Sequence, residues 1–387
     1  MTCLGFTDAQ LAELGAAWTA REIEQQPQLW AEVLAATRRP PQVERLLARK
    51  ELRLLLTGAG SSAYIGECLA PAILRRTGRR VDAVATTDLV AGPQRYIQRD
   101  VPTLMVSFAR SGNSPESVAA LKIADEMMDE CHHLVLTCNE EGDLCRWARA
   151  CSTAEIVLMP PQAHDRGFAM TSSFTSLLLS AARIFDVVDA SAAPALAAGA
   201  ADVMQRGLAL ARELAGRRYE RVFYLGSNEL KGLAREAALK LLELTDGSVV
   251  SSFDSSLGFR HGPKTIINDR TLVVLFVSND PYTRQYDLDL LHELRAEGHA
   301  GRVLALGAKG GGLDAQHDFI LRGLFEASDL EISLPLAMFA QTFALQQSIR
   351  LGRKPDNPSV SGTVNRVVQG VKIYQPPAAG GSDVPGH

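Results

Sequence analysis

The chain has 387 residues, of which 46% are hydrophobic and 22% charged, and its net charge is -4. That length is too great for one compact core and predicts two domains, while the composition is that of an ordinary globular protein. No basic block stands out, so nucleic acid is not an expected partner. The longest apolar runs, such as Leu272–Val277, fall far short of a membrane span. The start, Met1-Thr2-Cys3-Leu4, lacks a basic region followed by an apolar core, so neither a membrane partner nor a secretory route is expected. Of the six cysteines, Cys131, Cys138, Cys145 and Cys151 fall close together beside His132 and His133. Their spacings match no zinc template, so no metal is expected, and reduced thiols fit a cytoplasmic location.

Residues 8–50 read as helical, with Leu11, Leu14, Trp18 and then Leu29, Trp30, Val33 and Leu34 at helical spacing and an interruption near Pro27. Short apolar runs then alternate with helical patterns. Strands are expected at Leu52–Leu56, Val81–Val84, Thr103–Phe108, His133–Thr137 and Glu155–Leu158. A second series is expected at Arg221–Leu225, Leu272–Val277, Arg302–Leu306 and Asp318–Leu321. Such alternation predicts parallel sheets with helices on both faces. Gly58 and Gly226 lie 168 residues apart, Ser111 and Ser278 167, and Leu134 and Arg302 168, which predicts duplication of one α/β unit. The Ala-rich stretch Ala190–Ala201 reads as the connector. The expected division is a helical segment at 1–48, domains at 49–190 and 205–355, and a tail at 356–387 whose end, from Pro376, reads as disordered.

Four motifs carry chemistry. Thr57-Gly58-Ala59-Gly60-Ser61-Ser62 follows a strand and opens a helix, where backbone N–H groups and the Ser61 and Ser62 hydroxyls suit a phosphate. The same letters also fit a dinucleotide turn, with Asp82 or Asp88 as the acidic partner, or a bare tight turn. The second motif is Ala109-Arg110-Ser111-Gly112-Asn113-Ser114-Pro115-Glu116, again strand to helix, with Pro115 and Glu116 suited to the first turn. Ser114 could simply cap that helix. Two such cradles on one sheet can converge on one phosphate, which a dinucleotide domain does not require.

The third motif is the helix 228–245, where Glu236, Lys240 and Glu243 share one face. On helix grounds alone this is a solvated ion-pair stripe; a catalytic glutamate there would need burial and the lysine's charge. In the fourth, Phe253 to Lys264, Gly and Pro make a structured loop that presents Arg260 and His261. A histidine there either caps a turn or moves a proton near neutral pH.

These residues resemble the sugar isomerase (SIS) domain proteins over roughly residues 50–375. The runs Ser252–Lys264 and Phe168-Ala169-Met170-Thr171-Ser172-Ser173-Phe174-Thr175 look like the AgaS-type proteins of that family. The resemblance implies two tandem SIS domains, each a parallel sheet between helices (three-layer αβα), that bind a hexosamine or ketose 6-phosphate without a cofactor. Likeness to the isomerase half of glucosamine-6-phosphate synthase implies phosphate binding at Gly60, Ser61, Ser62, Ser111, Gly112 and Ser114. It also implies Glu243 as isomerising base, Lys240 beside it, Glu236 and Arg260 in support, and His261 as the ring-opening group. That histidine comes from the partner subunit in the relative, so a homodimer with shared sites is implied.

The chain departs from the relative in three ways. Ala109 replaces a phosphate serine, with Arg110 beside it. A tail lysine of the relative falls on Gln369, with Lys372 nearby. Residues 1–50 cannot hold a glutaminase half, so the synthetic direction is not the expected one. The expected activity is deamination of galactosamine-6-phosphate to tagatose-6-phosphate. A plain ketose/aldose isomerase, a non-catalytic sugar-phosphate regulator and an NAD-binding protein are the alternatives.

Overall fold

The central strands are apolar at almost every position, the pattern of strands covered on both faces. Thr103–Ala109 and Thr271–Phe276 are buried along their whole length. The structure, a computed structural model, describes residues 2–362, 364–368 and 370–375. The first sheet holds β1 (Arg53–Thr57), β2 (Val81–Ala83), β3 (Thr103–Ala109), β4 (Cys131–Thr137) and β5 (Ala154–Leu158). All are parallel, in the order β2-β1-β3-β4-β5. The second sheet holds β6 (Arg221–Leu225), β7 (Val250–Asp254), β8 (Thr271–Phe276), β9 (Arg302–Gly307) and β10 (Phe319–Ile320). It is also parallel, in the order β7-β6-β8-β9-β10. The two sheets therefore share one strand order. In each, the order reverses beside the first strand, and such a switch point leaves a crevice at the strands' C-terminal ends.

The helices used below are α1 (Ala17–Glu24), α2 (Gln26–Ala36), α3 (Ser61–Thr77), α4 (Pro115–Met127), α5 (Ser172–Ile184), α6 (Glu229–Leu244), α7 (Pro281–Glu297) and α8 (Asp329–Arg350). Alternate residues of the strands face two different cores. Leu54, Leu56, Leu104 and Val106 of the first sheet join Leu272 and Val274 of the second in one shared core with α3, α5, α6 and α8. Leu55, Met105 and Val135 face an outer core of the first sheet, and Leu225, Val273 and Leu275 one of the second. Within the shared core α6 lies hard against α3. A Cβ on Gly232 would stand 2.7 Å from Cys68 N and Sγ, so only glycine permits that approach. A buried polar chain ties the N-terminal helices in: Trp30 Nε1 donates to Thr175 Oγ1 (3.0 Å), Thr175 to Gln26 Oε1 (2.7 Å) and Gln26 to Gln341 (2.7 Å).

Two elements differ from expectation. Val250–Asp254 is a strand, whereas the loop was expected to begin at Phe253. It is an edge strand of Val-Ser-Ser-Phe-Asp, only partly covered, so it carries no apolar run. Most of the Ala-rich stretch expected as a connector lies in the helix Ala193–Asp202, with Leu196, Gly199 and Ala200 buried; alanine has the highest helix propensity. Pro27 stands in the first turn of α2 and opens that helix. Among the described residues no helix is long and apolar enough to cross a membrane. The tail from Pro376 lies outside the described residues.

Candidate active site

The first cradle is the turn between β1 and α3. Gly60 has φ 57° and ψ -129°, a backbone that L side chains rarely adopt. A Cβ on Gly58 would stand 2.5 Å from the Ser62 carbonyl carbon. Two glycines thus let Ser61 and Ser62 start the helix, and the N–H end of α3 faces the space in front of them. Ser62 Oγ donates to Met170 Sδ (3.7 Å).

The second cradle follows β3. Gly112 has φ 66°. Ser114 caps α4: its Oγ accepts the Ser117 N–H (3.3 Å) and pairs with Ser117 Oγ (2.6 Å). Asn139 Nδ2 holds the Ser111 carbonyl at 2.7 Å, while Ser111 Oγ accepts the Asn113 N–H (3.3 Å). Gly60, Ser61, Ser62, Ser111, Gly112 and Ser114 all line one cavity of about 220 Å3.

The opposite wall comes from the second unit. Lys240 and Glu243 line the same cavity, with Glu236 behind them. They are not a solvated stripe: Glu236 and Lys240 are each 1% exposed. Lys240 Nζ lies 2.5 Å from Glu243 Oε2 and 3.5 Å from Glu236 Oε1. Burial pushes the Glu236 carboxyl up to about 7, with Lys240 pulling it down and Glu243 pushing it further up. Burial disfavours the Lys240 ammonium, but Glu236 and Glu243 outweigh it and raise its pKa. The arrangement sets a carboxylate, with its cation in contact, across from serine hydroxyls and the N-termini of α3 and α4. It can hold an anion at one end and move a proton at the other.

Two expected residues lie elsewhere. His261 is exposed in the turn Gly258–His261 and does not line this cavity. Arg260 Nε donates to Glu293 Oε2 on α7 (2.8 Å), and Lys264 pairs with Glu293 and Glu297. Gln369 lies outside the described residues. Lys372 sits over the Tyr374 ring, 4.8 Å from its centroid, and is not on the cavity. Asp82, the possible dinucleotide partner, is held by Arg53 at 2.8 Å.

Other lining residues carried no period or spacing in the sequence. Phe168 and Met170 form the inner wall, and residues 364–368 of the tail the outer one. Arg110 is 7% exposed and reaches both walls. Two larger hollows, of about 940 and 870 Å3, lie on the outer side of α4 and beside β2, away from Lys240 and Glu243. All six cysteines are free thiols, and among the described residues no three metal-ligating side chains are grouped to hold an ion.

The matching place in the second unit is filled by the chain itself. Asn228, at φ 51° and ψ -120°, repeats the backbone of Gly60, and Glu229 then stands where Ser61 stands. Asp280 caps α7 as Ser114 caps α4. Asp287 accepts hydrogen bonds from Ser227 Oγ (2.6 Å), Ser256 Oγ (2.5 Å) and the Ser278 N–H (3.0 Å). Asp329 accepts from Ser278 Oγ and from the Asn279 N–H (2.6 Å). The donors that could meet an anion there are already bound to carboxylates.

The SIS domain family model matches residues 46–185. The chain is 46% identical, over 374 residues, to the D-galactosamine-6-phosphate deaminase AgaS of Escherichia coli, covering 92% of this chain and 95% of that one. It is 42% identical to the protein of the same name in Shewanella sp. (strain ANA-3), covering 94% of each. The crystal structure of tagatose-6-phosphate ketose/aldose isomerase from Escherichia coli superposes with a TM-score of 0.85 at 42% identity, covering 92% of this chain and 96% of that one. With identity of this order along almost its whole length, the chain belongs to the SIS domain family and, within it, to the AgaS-type proteins.

Proposed function

We propose that this protein converts galactosamine-6-phosphate to tagatose-6-phosphate and ammonia. The chain is an enzyme of the sugar-phosphate isomerase/deaminase class, as its relatives over nine-tenths of its length are. The specific reaction is carried by one observation: the Lys240–Glu243 pair shares a cavity with the serine cradles.

The substrate's phosphate sits at Ser61, Ser62, Ser111 and Ser114, against the ends of α3 and α4. Ring opening moves a proton onto the ring oxygen, the task of His261. Glu243 takes the C2 proton of the open aldehyde, giving an enolamine between C1 and C2, and returns a proton to C1. The product is an imine at C2. Water adds to it, the C–N bond breaks, ammonia leaves and the ketose remains. Lys240, in contact with Glu243, orients it, and Glu236 steadies Lys240 from behind. No step calls for a cofactor.

His261 lies off the cavity of its own chain, so the proposal includes a homodimer in which each copy supplies His261 to the other's site. Arg260 and Lys264, tied to Glu293, would hold that loop in place. The six free thiols fit a cytoplasmic location.

Purified protein incubated with galactosamine-6-phosphate should release ammonia, and glucosamine-6-phosphate run in parallel reads the C4 preference. No ammonia from either sugar would overturn the deaminase. A plain ketose/aldose isomerase, the activity named for the Escherichia coli structure, would then be tested by conversion of tagatose-6-phosphate.

A further inference from the structure

We propose that Arg110 is a positioning residue that ties the C-terminal strap, residues 364–368, across the mouth of the cavity. Its Nη1 donates to the Phe168 carbonyl (2.9 Å) and its Nη2 to the Arg366 carbonyl (2.7 Å). One side chain therefore spans the inner and outer walls. The guanidinium is almost fully buried, and among the described residues it has no carboxylate within ion-pair distance. A buried cation spent on backbone carbonyls alone, those of Phe168 and Arg366 and, at 3.5 Å, Gly167, is costly unless its geometry has a use. Burial and then Arg366 depress its pKa, and Asp165 and Glu243, neither in contact with it, only partly offset them.

The two walls are held very differently. On the inner side, Asp165 accepts the N–H groups of Thr171, Ser172 and Ser173 together with two hydroxyls, and Glu22 accepts those of Arg166 and Gly167. That loop is fixed at both ends. The outer wall has no helix or strand, and Val364 and Val368 are 57% and 52% exposed. Among the described residues two ties hold it at the cavity: Arg110 to the Arg366 carbonyl, and the Arg366 guanidinium to the Asp165 carbonyl. The strap is the wall that can open, and Arg110 is its latch.

The latch also lies beside Ser111. A phosphate at Ser111 and Ser114 brings negative charge next to a cation that has no carboxylate in contact among the described residues, so an anion in the cradle strengthens the tie. This last arm rests on the reading of the cavity as a phosphosugar site; the latch itself does not.

Trypsin cleavage after Arg366, followed by mass spectrometry, reads the strap directly. Arg110→Gln should speed cleavage about 10-fold or more, the worth of hydrogen bonds from a charged donor. Arg110→Lys, which keeps the charge and loses the planar fork that spans the two walls, should fall between. Inorganic phosphate should slow cleavage of the wild type and leave Arg110→Gln unchanged. With galactosamine-6-phosphate the variants should raise KM more than they lower kcat. Arg366→Ala should raise KM similarly, and the double variant with Arg110→Lys should do no more than the larger single one, because both ties act on one strap. Equal cleavage in wild type and Arg110→Lys, or additive KM effects, would overturn the latch. If Arg110→Gln does not fold, Arg110→Lys carries the test, since it keeps the buried cation. Ammonia release with unchanged cleavage would defeat the latch alone. Changed cleavage without turnover would defeat only the deaminase.

Discussion

Lys240 Nζ stands between two carboxylates of its own helix, 2.5 Å from Glu243 and 3.5 Å from Glu236, and only Glu243 reaches the cavity. The lysine thus divides two like charges into a fronting group and a backing group. Replacing it with methionine would leave both carboxylates without their cation, Glu236 in the low-dielectric core and Glu243 at the cavity wall. Lys240→Met is expected to lose about 3–5 kcal/mol of stability by urea unfolding, since removing one partner strands a buried charge. A loss below 1 kcal/mol would show that the cation is not what makes the pair tolerable.

Glu236 makes stability depend on pH. Its carboxyl is raised from 4.5 to about 7 by burial, so in that window the folded protein keeps a proton that the unfolded chain has released. Its contribution is complete below pH 4.5 and is lost as pH rises through 7. The whole effect is on the order of 3 kcal/mol. Glu236→Gln should therefore flatten the fall of Tm between pH 5 and pH 7, measured against the wild type. Parallel Tm curves would place the proton elsewhere.

Glu243 is the group asked to move the C2 proton. Glu243→Gln keeps its shape and removes its basicity, so ammonia release should fall at least about 100-fold. Binding of inorganic phosphate, measured by calorimetry, should be unchanged. Retained turnover would take Glu243 out of the mechanism.

Much of this was readable in the residues. Strands buried on both faces announce themselves as apolar runs, as β3 and β8 do, and both cradles follow such strands. The edge strand β7, with Ser251 and Ser252 in its middle, does not. The charge face of α6 misleads on helix periodicity alone. Glu236 and Lys240 are buried because Gly232 lets α6 close on α3, and a one-helix pattern contains no such contact. The strap is harder still. Residues 364–368 have no period, and what ties them to the cavity are hydrogen bonds to Arg110 and Asp165, more than 200 positions earlier in the chain.

The two cradles give opposite expectations for anions. Ser61 in the first corresponds to Glu229 in the second, where Asp287 and Asp329 already occupy the donors. Calorimetry should find one phosphate per chain. Ser61→Glu should abolish that site, raising KM about 100-fold or more, because it brings a negative charge to a helix end meant for an anion. Two phosphates per chain would contradict this account of the second cradle.

His261 gives the sharpest test of shared sites. It is exposed and absent from the cavity of its own chain, so a shared site needs it from a second copy. His261→Asn and Glu243→Gln proteins should each be inactive alone. In a dimer with two-fold symmetry, one subunit of each kind leaves one site with both groups intact and the other with neither. Mixing equal amounts and allowing subunits to exchange should restore about a quarter of wild-type ammonia release. Recovery requires the two residues to meet across the interface. If mixing restores nothing while native mass spectrometry shows mixed dimers, His261 serves its own chain or does not take part in the reaction.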